Sequence, residues 1–542
     1  MARSPSSSEV ADVVVVGAGP SGAVVSKTLS DKGFSVVCLE QGDWVNPSDF
    51  PGNRPDFELL IQRRWSHDPN VRKLAADYPL NNSESDMSPV MYNAVGGGSV
   101  VYGAHWHRLT PGDFRVRTVD GVADDWPLTY AALVPYYEAV ESVVAVSGLE
   151  GDPVYPEGLT YSQPPLPLGP AGRRAAEAAN SLGWHWWPGS QAISSVKHGH
   201  VEGCARFGVC EWGCPQGAKA SFDRVFWPSA LQSGTRLVTG ARVRRVCTDS
   251  RGRASGVEWV DRDGRNEFLR ARAVVLCANG IGTARLLLLS ATTSQPEGLA
   301  NSSGLVGRNL MLHPNCMVTG FYDQPLDSWN GPAGELIYSM EFYETDPARG
   351  YARGSKLHAM PSPGPLAAID AHRGFPFDEV WGDNFHSIAE RHSGALIWGA
   401  AVEDLPSAVN RVELDDSLCD SNGIPAPKIS YRVSDDTRRN LEFTVQRMRD
   451  LHLAGGATNL VDVGLMKAEG GHLLGTARMG FDPRASVVDS FGRSHDVSNL
   501  FVADGSLFVT GGAVNPTATI AALALRVAMG IVESARDLEV PW

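Results

Sequence analysis

The sequence is poor in features that mark several classes of protein. Lys and Arg number 47 against 61 Asp and Glu in 542 residues, a formal net charge of -14. Because nucleic acids and anionic membrane surfaces attract positive charge, this balance argues against both as partners. The N-terminal residues lack the apolar segment of a secretory signal peptide, since the first apolar run begins only at Val13.

Long apolar runs and cysteines are also scarce. The stretch that comes closest to a membrane span, 519–532, contains Arg526 and is predicted to be a buried helix. The eight cysteines are scattered apart from Cys204, Cys210 and Cys214. Without a secretory signal, we expect reduced thiols in a cytoplasmic protein with no membrane partner.

The strongest motif is a strand–turn–helix–strand unit near the N-terminus. Residues 13–16 form a β-branched run typical of a buried parallel strand, and a G-x-G-x-x-G sequence follows. Its first glycine permits a tight turn, its second lets a pyrophosphate approach, and its third lets helix and strand pack closely. The next apolar run ends at Glu40, an acid that can accept from a ribose hydroxyl. The unit predicts a dinucleotide site formed by Gly17, Ala18, Gly19, Pro20, Ser21, Gly22, Glu40 and Gln41.

A second glycine-rich segment, 93–109, has three consecutive glycines flanked by apolar and aromatic residues. Missing side chains let backbone approach a large planar ligand. The residues predicted to face that ligand are Val95, Gly97, Gly98 and Ser99. His105 and His107 are of a metal-ligating type, but nothing nearby completes a ligand set, so we predict no metal.

The segment that holds Cys204, Cys210 and Cys214 leaves two interpretations open. Three close thiols suit a metal or an iron–sulfur cluster, but a distant fourth ligand is needed and the spacing is not that of a ferredoxin. Structural thiols are therefore the favoured interpretation.

The rest of the chain predicts two domains. A strand at 270–276 leads into a glycine turn and an apolar helix, a second unit for the same sheet. Residues 317–433 show strand-like alternation with many Pro and Gly, which indicates an antiparallel sheet domain that carries a pocket. Near the C-terminus, Asn515 can cap a helix whose first position suits Pro516. The dinucleotide domain is thus expected to be assembled from both ends of the chain.

Together these motifs resemble the glucose–methanol–choline (GMC) family of flavin oxidoreductases over nearly the whole length. They are the fingerprint with Glu40, the loop 95–99, the turn at Ala278, H-x-x-G-T-x-R-M-G from His472, the D-G-S that begins at Asp504, and N-P-T at 515–517. The resemblance implies FAD as the cofactor and an α/β fold (α+β overall), with a Rossmann-like FAD-binding domain and a second antiparallel-sheet substrate domain. It adds to the cofactor site Val243, Ala278, Asp504, Gly505, Pro516 and Thr517.

The predicted domain division is discontinuous. The FAD-binding domain comprises residues 1–44, 90–125, 200–316 and 456–542. A lid or loop covers 45–89, and the substrate-binding domain comprises 126–199 and 317–455.

Within the family, the pair His472 and Asn515 is similar to that of pyranose oxidases and bacterial glycoside 3-oxidases, including C-glycoside 3-oxidases. Glucose oxidases have a second His in place of Asn515. In fungal pyranose 2-oxidases a His after the glycine-rich loop bonds covalently to the flavin. Val101 stands at that position here, so the resemblance implies noncovalent FAD unless His105 serves instead. The cysteine-rich segment resembles one in alcohol- and sugar-oxidising relatives and does not fix the substrate.

The predicted reaction is oxidation of a secondary alcohol, with His472 as the base and Asn515 bonded to the same oxygen. The leading hypothesis is a pyranose or glycoside 3-oxidase that uses oxygen as acceptor. The alternatives are a sugar dehydrogenase that passes electrons to a quinone, cytochrome or cluster, and an alcohol oxidase for aliphatic or steroid substrates. A flavin-fold binding subunit without turnover is a further class, and the oligomeric state stays open.

Overall fold

The computed structural model describes residues 10–198, 201–332, 334–362, 364–366 and 381–537. The ends of the predicted domains, 1–9 and 538–542, lie outside this part of the chain. The strands are β1 Val10–Val16, β2 Val36–Glu40, β3 Asn81–Ser85, β4 Trp187–Pro188, β5 Arg236–Thr239, β6 Arg242–Thr248, β7 Ala254–Val260, β8 Asn266–Leu276, β9 Asn315–Phe321, β10 Ile337–Ser339, β11 Ser355–Pro361, β12 Ala395–Val402, β13 Arg411–Cys419, β14 Pro425–Tyr431, β15 Asn459–Leu465 and β16 Leu500–Val502. The helices are α1 Pro20–Asp31, α2 Phe57–Ile61, α3 Pro69–Arg72, α4 Val116–Asp120, α5 Tyr130–Val144, α6 Gly169–Leu182, α7 Phe222–Val225, α8 Trp227–Gln232, α9 Asn279–Leu289, α10 Asp383–Glu390, α11 Asp435–Ala454 and α12 Thr517–Asp537.

The first sheet is organised around the N-terminal strand and has the order β5-β2-β1-β8-β7-β6. Strands β5, β2, β1 and β8 run parallel, β16 pairs parallel with the end of β8, and β7 and β6 are antiparallel. Every residue of β2 is buried, as are residues 13–16 of β1. Parallel strands covered on both faces need such uninterrupted apolar runs. The predicted strand–turn–helix–strand unit and the Rossmann-like sheet are both present.

The second sheet is antiparallel, with the order β15-β9-β12-β11-β10-β4. Its inward side chains join a core with Leu441, Met448 and Leu451 of α11. The predicted antiparallel domain is therefore present, but its limits follow the sheet rather than the predicted boundary at 456. Strand β15 falls on the FAD side of that boundary, yet it pairs antiparallel with β9 and so belongs to the second sheet.

The predicted lid at 45–89 is not a single irregular loop. It contains α2, α3 and β3, and β3 pairs parallel with β14 in a three-stranded sheet with β13. The buried ion pair of Arg72 with Asp77, at 2.6 Å, fixes the turn between α3 and β3. This segment is thus anchored to β14.

In the part of the chain that the structure describes, one helix segment, Thr517–Ala535, is long and apolar enough by composition to cross a membrane. In the fold, however, 67% of its 18-residue window is buried inside the protein. It packs against α1 and α5. Since buried core helices pass the same test, this is weak evidence for a membrane span.

A fully buried cation joins distant parts of the chain. Arg353 donates from Nε to Glu403 at 2.8 Å and from its terminal nitrogens to Asp113 and Asp120. None of the Arg353, Glu403 and Asp113 side chains is exposed. Glu403 also accepts from the backbone N–H of Gly512, at 3.2 Å. The network therefore links β12 to the C-terminal segment that precedes α12.

Replacing this cation should destabilise the fold. In Arg353→Met, the carboxylates of Asp113 and Glu403 remain buried without their partner, so the free energy of unfolding should fall by roughly 3–5 kcal/mol. The control is Arg432→Met, whose side chain is 66% exposed and pairs with Asp86 at the surface. That change should cost less than about 1 kcal/mol. Denaturant unfolding of both variants tests this, and equal midpoints would contradict it.

Candidate active site

A cavity lies between the carboxyl ends of the parallel strands and the face of the second sheet. Val16 and Leu39 line it from the first sheet, and Met317, Met360 and Gly399 line it from the second. Ligands of open α/β sheets bind at the carboxyl ends of the strands. The predicted residues that line this cavity are Gly17, Gly19, Pro20, Ser21, Glu40, Gln41, Gly97, Gly98, Ser99, Val243, Ala278, His472, Asp504, Gly505, Asn515, Pro516 and Thr517. Three predicted residues, Ala18, Gly22 and Val95, are buried behind its wall.

The fingerprint glycines differ in what a side chain would meet. A Cβ on Gly17, where φ is +99°, would lie 2.4 Å from the carbonyl oxygen of Cys277. A Cβ on Gly22 would lie 1.9 Å from the carbonyl oxygen of Gly17. At Gly19 the nearest atom is the Cα of Gly97, 3.8 Å away. The first and third glycines thus permit backbone contacts, and the second leaves room beside the cavity.

Glu40 is tied to the turn that it follows. Its two carboxylate oxygens accept from the backbone N–H groups of Ala18 and Gly42, each at 2.8 Å. Burial raises the pKa of Glu40, and these hydrogen bonds oppose that rise. A carboxylate has about four acceptor positions, so acceptor capacity remains for a ribose hydroxyl. Together with the open Gly19 and the N-terminus of α1, this set fits a bound dinucleotide.

The carboxylate of Asp504 has different hydrogen-bond donors from that of Glu40. Its carboxylate accepts from the Thr283 hydroxyl at 2.6 Å and from the backbone N–H of Ser506 at 3.0 Å. These contacts join the turn after β16 to α9. The carboxylate of Asp504 therefore shapes the wall of the cavity.

The cysteine-rich segment supports the glycine-rich loop. Lys219, which is buried, donates to the carbonyl oxygens of Val100 at 2.9 Å and Tyr102 at 3.1 Å, and also to that of Cys210. Burial lowers the pKa of Lys219 to about 8. No disulfide joins the described cysteines, and within the described ranges Cys204, Cys210 and Cys214 do not bring their sulfurs within 4.8 Å of one another as a set. The structure thus gives the segment a supporting role through Lys219.

The two predicted catalytic residues meet in the cavity. The Nδ2 atom of Asn515 lies 3.5 Å from Nε2 of His472, and both side chains line the cavity wall. Burial and the nearby His313, His105 and Lys356 hold the pKa of His472 well below its usual value. The imidazole is therefore neutral, as a general base requires.

His313 contacts the other side of His472. The Nδ1 atoms of the two rings are 2.9 Å apart. The backbone of His313 has φ of 49°, and its N–H donates to Asp404 at 3.1 Å. A residue other than glycine is strained at positive φ, and such strain is common at functional sites. No local sequence pattern indicates this contact, because 159 positions separate the two histidines.

A buried ionic cluster behind Asn515 was also missed by sequence reasoning. Lys356 donates to Glu335 at 2.8 Å and contacts Nδ1 of His105 at 3.2 Å, and Glu335 pairs with His107. His105, Glu335 and His358 bring their ligand atoms within 4.8 Å of one another, as a metal site would require. The positive charge that faces this carboxylate is, however, the ammonium of Lys356. Lys356, His358 and Met360 stand at alternate positions of β11 and therefore share one face of the strand. This alternation is the one feature of the sequence that could have indicated the cluster.

Comparison with known proteins gives a consistent result. Family models described as GMC oxidoreductase match residues 11–315 and 406–524. The 2-methyl-1,2-propanediol dehydrogenase of Mycolicibacterium austroafricanum is 38% identical, over 96% of this chain and 95% of its own. The 6'''-hydroxyparomomycin C oxidase of Streptomyces lividus is 32% identical over 96% and 91%. The fructose dehydrogenase large subunit of Gluconobacter japonicus is 30% identical over 97% and 98%.

The fold is shared with solved structures at low sequence identity. Pyridoxine 4-oxidase from Mesorbium loti superposes with a TM-score of 0.66 at 18% identity, over 96% of this chain and 99% of that one. A formate oxidase of Aspergillus oryzae gives a TM-score of 0.67 at 17% identity, over 98% and 100%. These two likenesses concern the architecture.

The mode of cofactor attachment can be tested directly. Val101 has no nucleophilic side chain, and His105 already contacts Glu335 at 3.1 Å and Lys356, so we predict noncovalent FAD. Acid precipitation of the purified protein should leave the yellow colour in the supernatant. A yellow pellet would contradict the prediction, and a colourless pellet from His105→Ala would then identify His105 as the link.

Proposed function

Because this chain belongs to the GMC oxidoreductase family, we propose that it oxidises a secondary alcohol of a sugar or glycoside to a ketone, with oxygen as the acceptor. The family, and with it FAD as cofactor and CH–OH groups as the site of oxidation, confirms what the motifs predicted. The finer proposal rests on one observation. Nε2 of His472 and the carboxamide of Asn515 converge on the same part of the cavity.

In this proposal the side chains of the protein accept the proton that the alcohol loses. FAD, when bound, supplies the acceptor for the carbinol hydride. Nε2 of neutral His472 takes the hydroxyl proton, so the alcohol loses one hydride and one proton and becomes a carbonyl. Asn515 donates from Nδ2 to the same oxygen and thereby selects which C–H bond is presented.

The start of α12 contributes a favourable field. The helix begins at Thr517, one residue after the predicted first position Pro516, and both residues line the cavity. The unpaired N–H groups of a helix N-terminus stabilise negative charge by roughly 0.3–1 kcal/mol or more when buried. This end of the cavity therefore suits the more negative state of a reduced cofactor.

Two lines support a polyhydroxylated substrate. The His472 and Asn515 pair is similar to that of pyranose and glycoside 3-oxidases, and named relatives act on fructose, on paromamine and on a hydroxyparomomycin. Polar side chains also line the same cavity, among them His67, Glu211 and Glu469. Such groups suit several hydroxyls at once. Oxidation at the sugar 3-position follows from the first line, and product NMR would locate the carbonyl.

A second candidate is a dehydrogenase of the same chemistry. It is favoured by the 38% identity with a diol dehydrogenase over 96% of the chain. Anaerobic flavin bleaching with monosaccharides, O-glycosides, C-glycosides and small diols would define the substrate. Peroxide release under air, compared with turnover of a quinone or dye, would then separate the two candidates.

His472 should be essential for the chemical step. In His472→Ala, substrate-dependent flavin reduction in stopped flow should slow by about two to four orders of magnitude, the usual contribution of a general base. The matched control is His392→Ala, since the ring of His392 contacts the local backbone carbonyl of Ala389. Unchanged reduction in His472→Ala would remove His472 from the mechanism.

The pH dependence of the same step follows from the pKa of His472. A base works when unprotonated, and the pKa of His472 lies well below 6.5. The rate of flavin reduction should therefore be constant above pH 6.5 and fall only in more acidic buffer. A titration with its midpoint near pH 6.5 would contradict a neutral His472.

A further inference from the structure

The contact between Lys356 and Asn515 fixes the orientation of the carboxamide. Nζ of Lys356 lies 3.0 Å from Oδ1 of Asn515. An ammonium has three donors and no acceptor, so the atom that it contacts must be the amide oxygen. The Nδ2 group of Asn515 is thereby turned toward Nε2 of His472. An amide flip would bring an –NH₂ group against the ammonium and lose this bond.

The orientation of Asn515 in turn selects the tautomer of His472. Because Nδ2 is only a donor, it is compatible with an Nε2 that carries no proton. A neutral His472 then keeps its proton on Nδ1, which lies 2.9 Å from Nδ1 of His313. That atom of His313 must accept, so the proton of His313 is on Nε2, beside Gly511.

The charge of Lys356 is held in place by buried partners. Burial lowers the pKa of Lys356, and the ion pair with Glu335 opposes that change. Burial alone raises the pKa of Glu335, but His107, Lys356 and His105 bring it well below its usual range. The side chains of Lys356 and Glu335 have no exposed surface. The ammonium therefore has one stable position, and Asn515 lies within its reach.

We propose that Lys356 is a positioning residue, which orients the Asn515 carboxamide and thereby keeps Nε2 of His472 free of a proton and open to the substrate. The inference deepens the proposed function and rests on it for its kinetic consequence. Lys356 itself does not touch the reacting alcohol in this scheme. Its effect passes through Asn515.

The test is a double-mutant cycle built on a charge-neutral change. Lys356→Met combined with Glu335→Gln removes both buried charges, so neither remains without a partner. This pair of changes should slow flavin reduction by about 10- to 100-fold, as loss of alignment does, while substrate affinity changes less than about threefold. In an Asn515→Ala background, the same pair of changes should slow flavin reduction by no more than about twofold, because the carboxamide through which Lys356 acts is already absent. An equal loss in both backgrounds would overturn the proposal.

Histidine NMR gives a readout that needs no substrate. In protein labelled with ¹⁵N-histidine, the His472 signal, identified by its loss in His472→Gln, should show protonated Nδ1 and bare Nε2. The Lys356→Met and Glu335→Gln protein should show both tautomers or the reverse one, since the carboxamide can then flip. An unchanged tautomer would overturn the proposal even if the rate falls. If His472 is not the base, the predicted changes in rate should not be observed, whereas the predicted change in tautomer should still be observed.

Two controls separate positioning from damage to the fold. Lys428→Met removes a partly exposed lysine that pairs with Glu84, and it should leave rate and tautomer unchanged. Lys356→Gln with Glu335→Gln keeps a donor near Oδ1, so it should recover at least part of the lost rate. Lack of any recovery, at normal FAD content and thermal midpoint, would count against the hydrogen bond as the cause.

Discussion

The ion pair of Lys356 with Glu335 is the interaction on which the geometry of the active site depends. Both side chains are fully buried, at 2.8 Å, with His105 and His107 around the carboxylate. Two charges inside a protein are stable only when each satisfies the other, so their positions are sharply defined. That definition passes to Asn515, and the polar end of the cavity becomes rigid before any substrate arrives.

A second buried cation fixes the chain on the other side of the same residue. Arg353 holds Glu403, which accepts from the N–H of Gly512, and Tyr343 accepts from the N–H of Ala513 at 3.1 Å. The segment before α12 is therefore held by its backbone while Asn515 is held by its side chain. Arg353 and Lys356 both belong to the second sheet or its border. The second sheet and its border thus position residues that the C-terminal chain contributes.

The parts that sequence reasoning predicted are local ones. Gly17, Gly22 and Glu40 act within a short strand–turn–helix–strand unit, where spacing alone dictates the geometry. The helix that begins near Pro516 was predicted for the same reason. His472 and Asn515 were linked only through resemblance to a family. They are 43 positions apart, and no local spacing rule predicts a contact over that distance in sequence.

The parts that were missed depend on the register of the second sheet. His313, Glu335 and Lys356 lie on separate segments, and each is an ordinary polar residue in its own context. Glu335 contacts Lys356, and His313 contacts His472. Strand β11 places Lys356 and His358 on the face opposite Leu357, and Gly399 on β12 leaves room for the His358 ring, which a Cβ would approach to 3.0 Å. Pairing between distant strands is set by tertiary packing, which a single sequence does not display.

This division of labour has a chemical consequence. The nucleotide-binding sheet contributes backbone contacts and glycines to the site. Substitutions there are therefore limited by the space that a side chain needs, and they affect cofactor binding. The second sheet contributes side chains with defined protonation, so a change there acts on the proton. The charge of Lys356 favours the neutral form of His472, Asn515 contacts both side chains, and Glu335 balances the charge of Lys356. The site therefore holds a neutral base and a cation close together in one buried polar cluster.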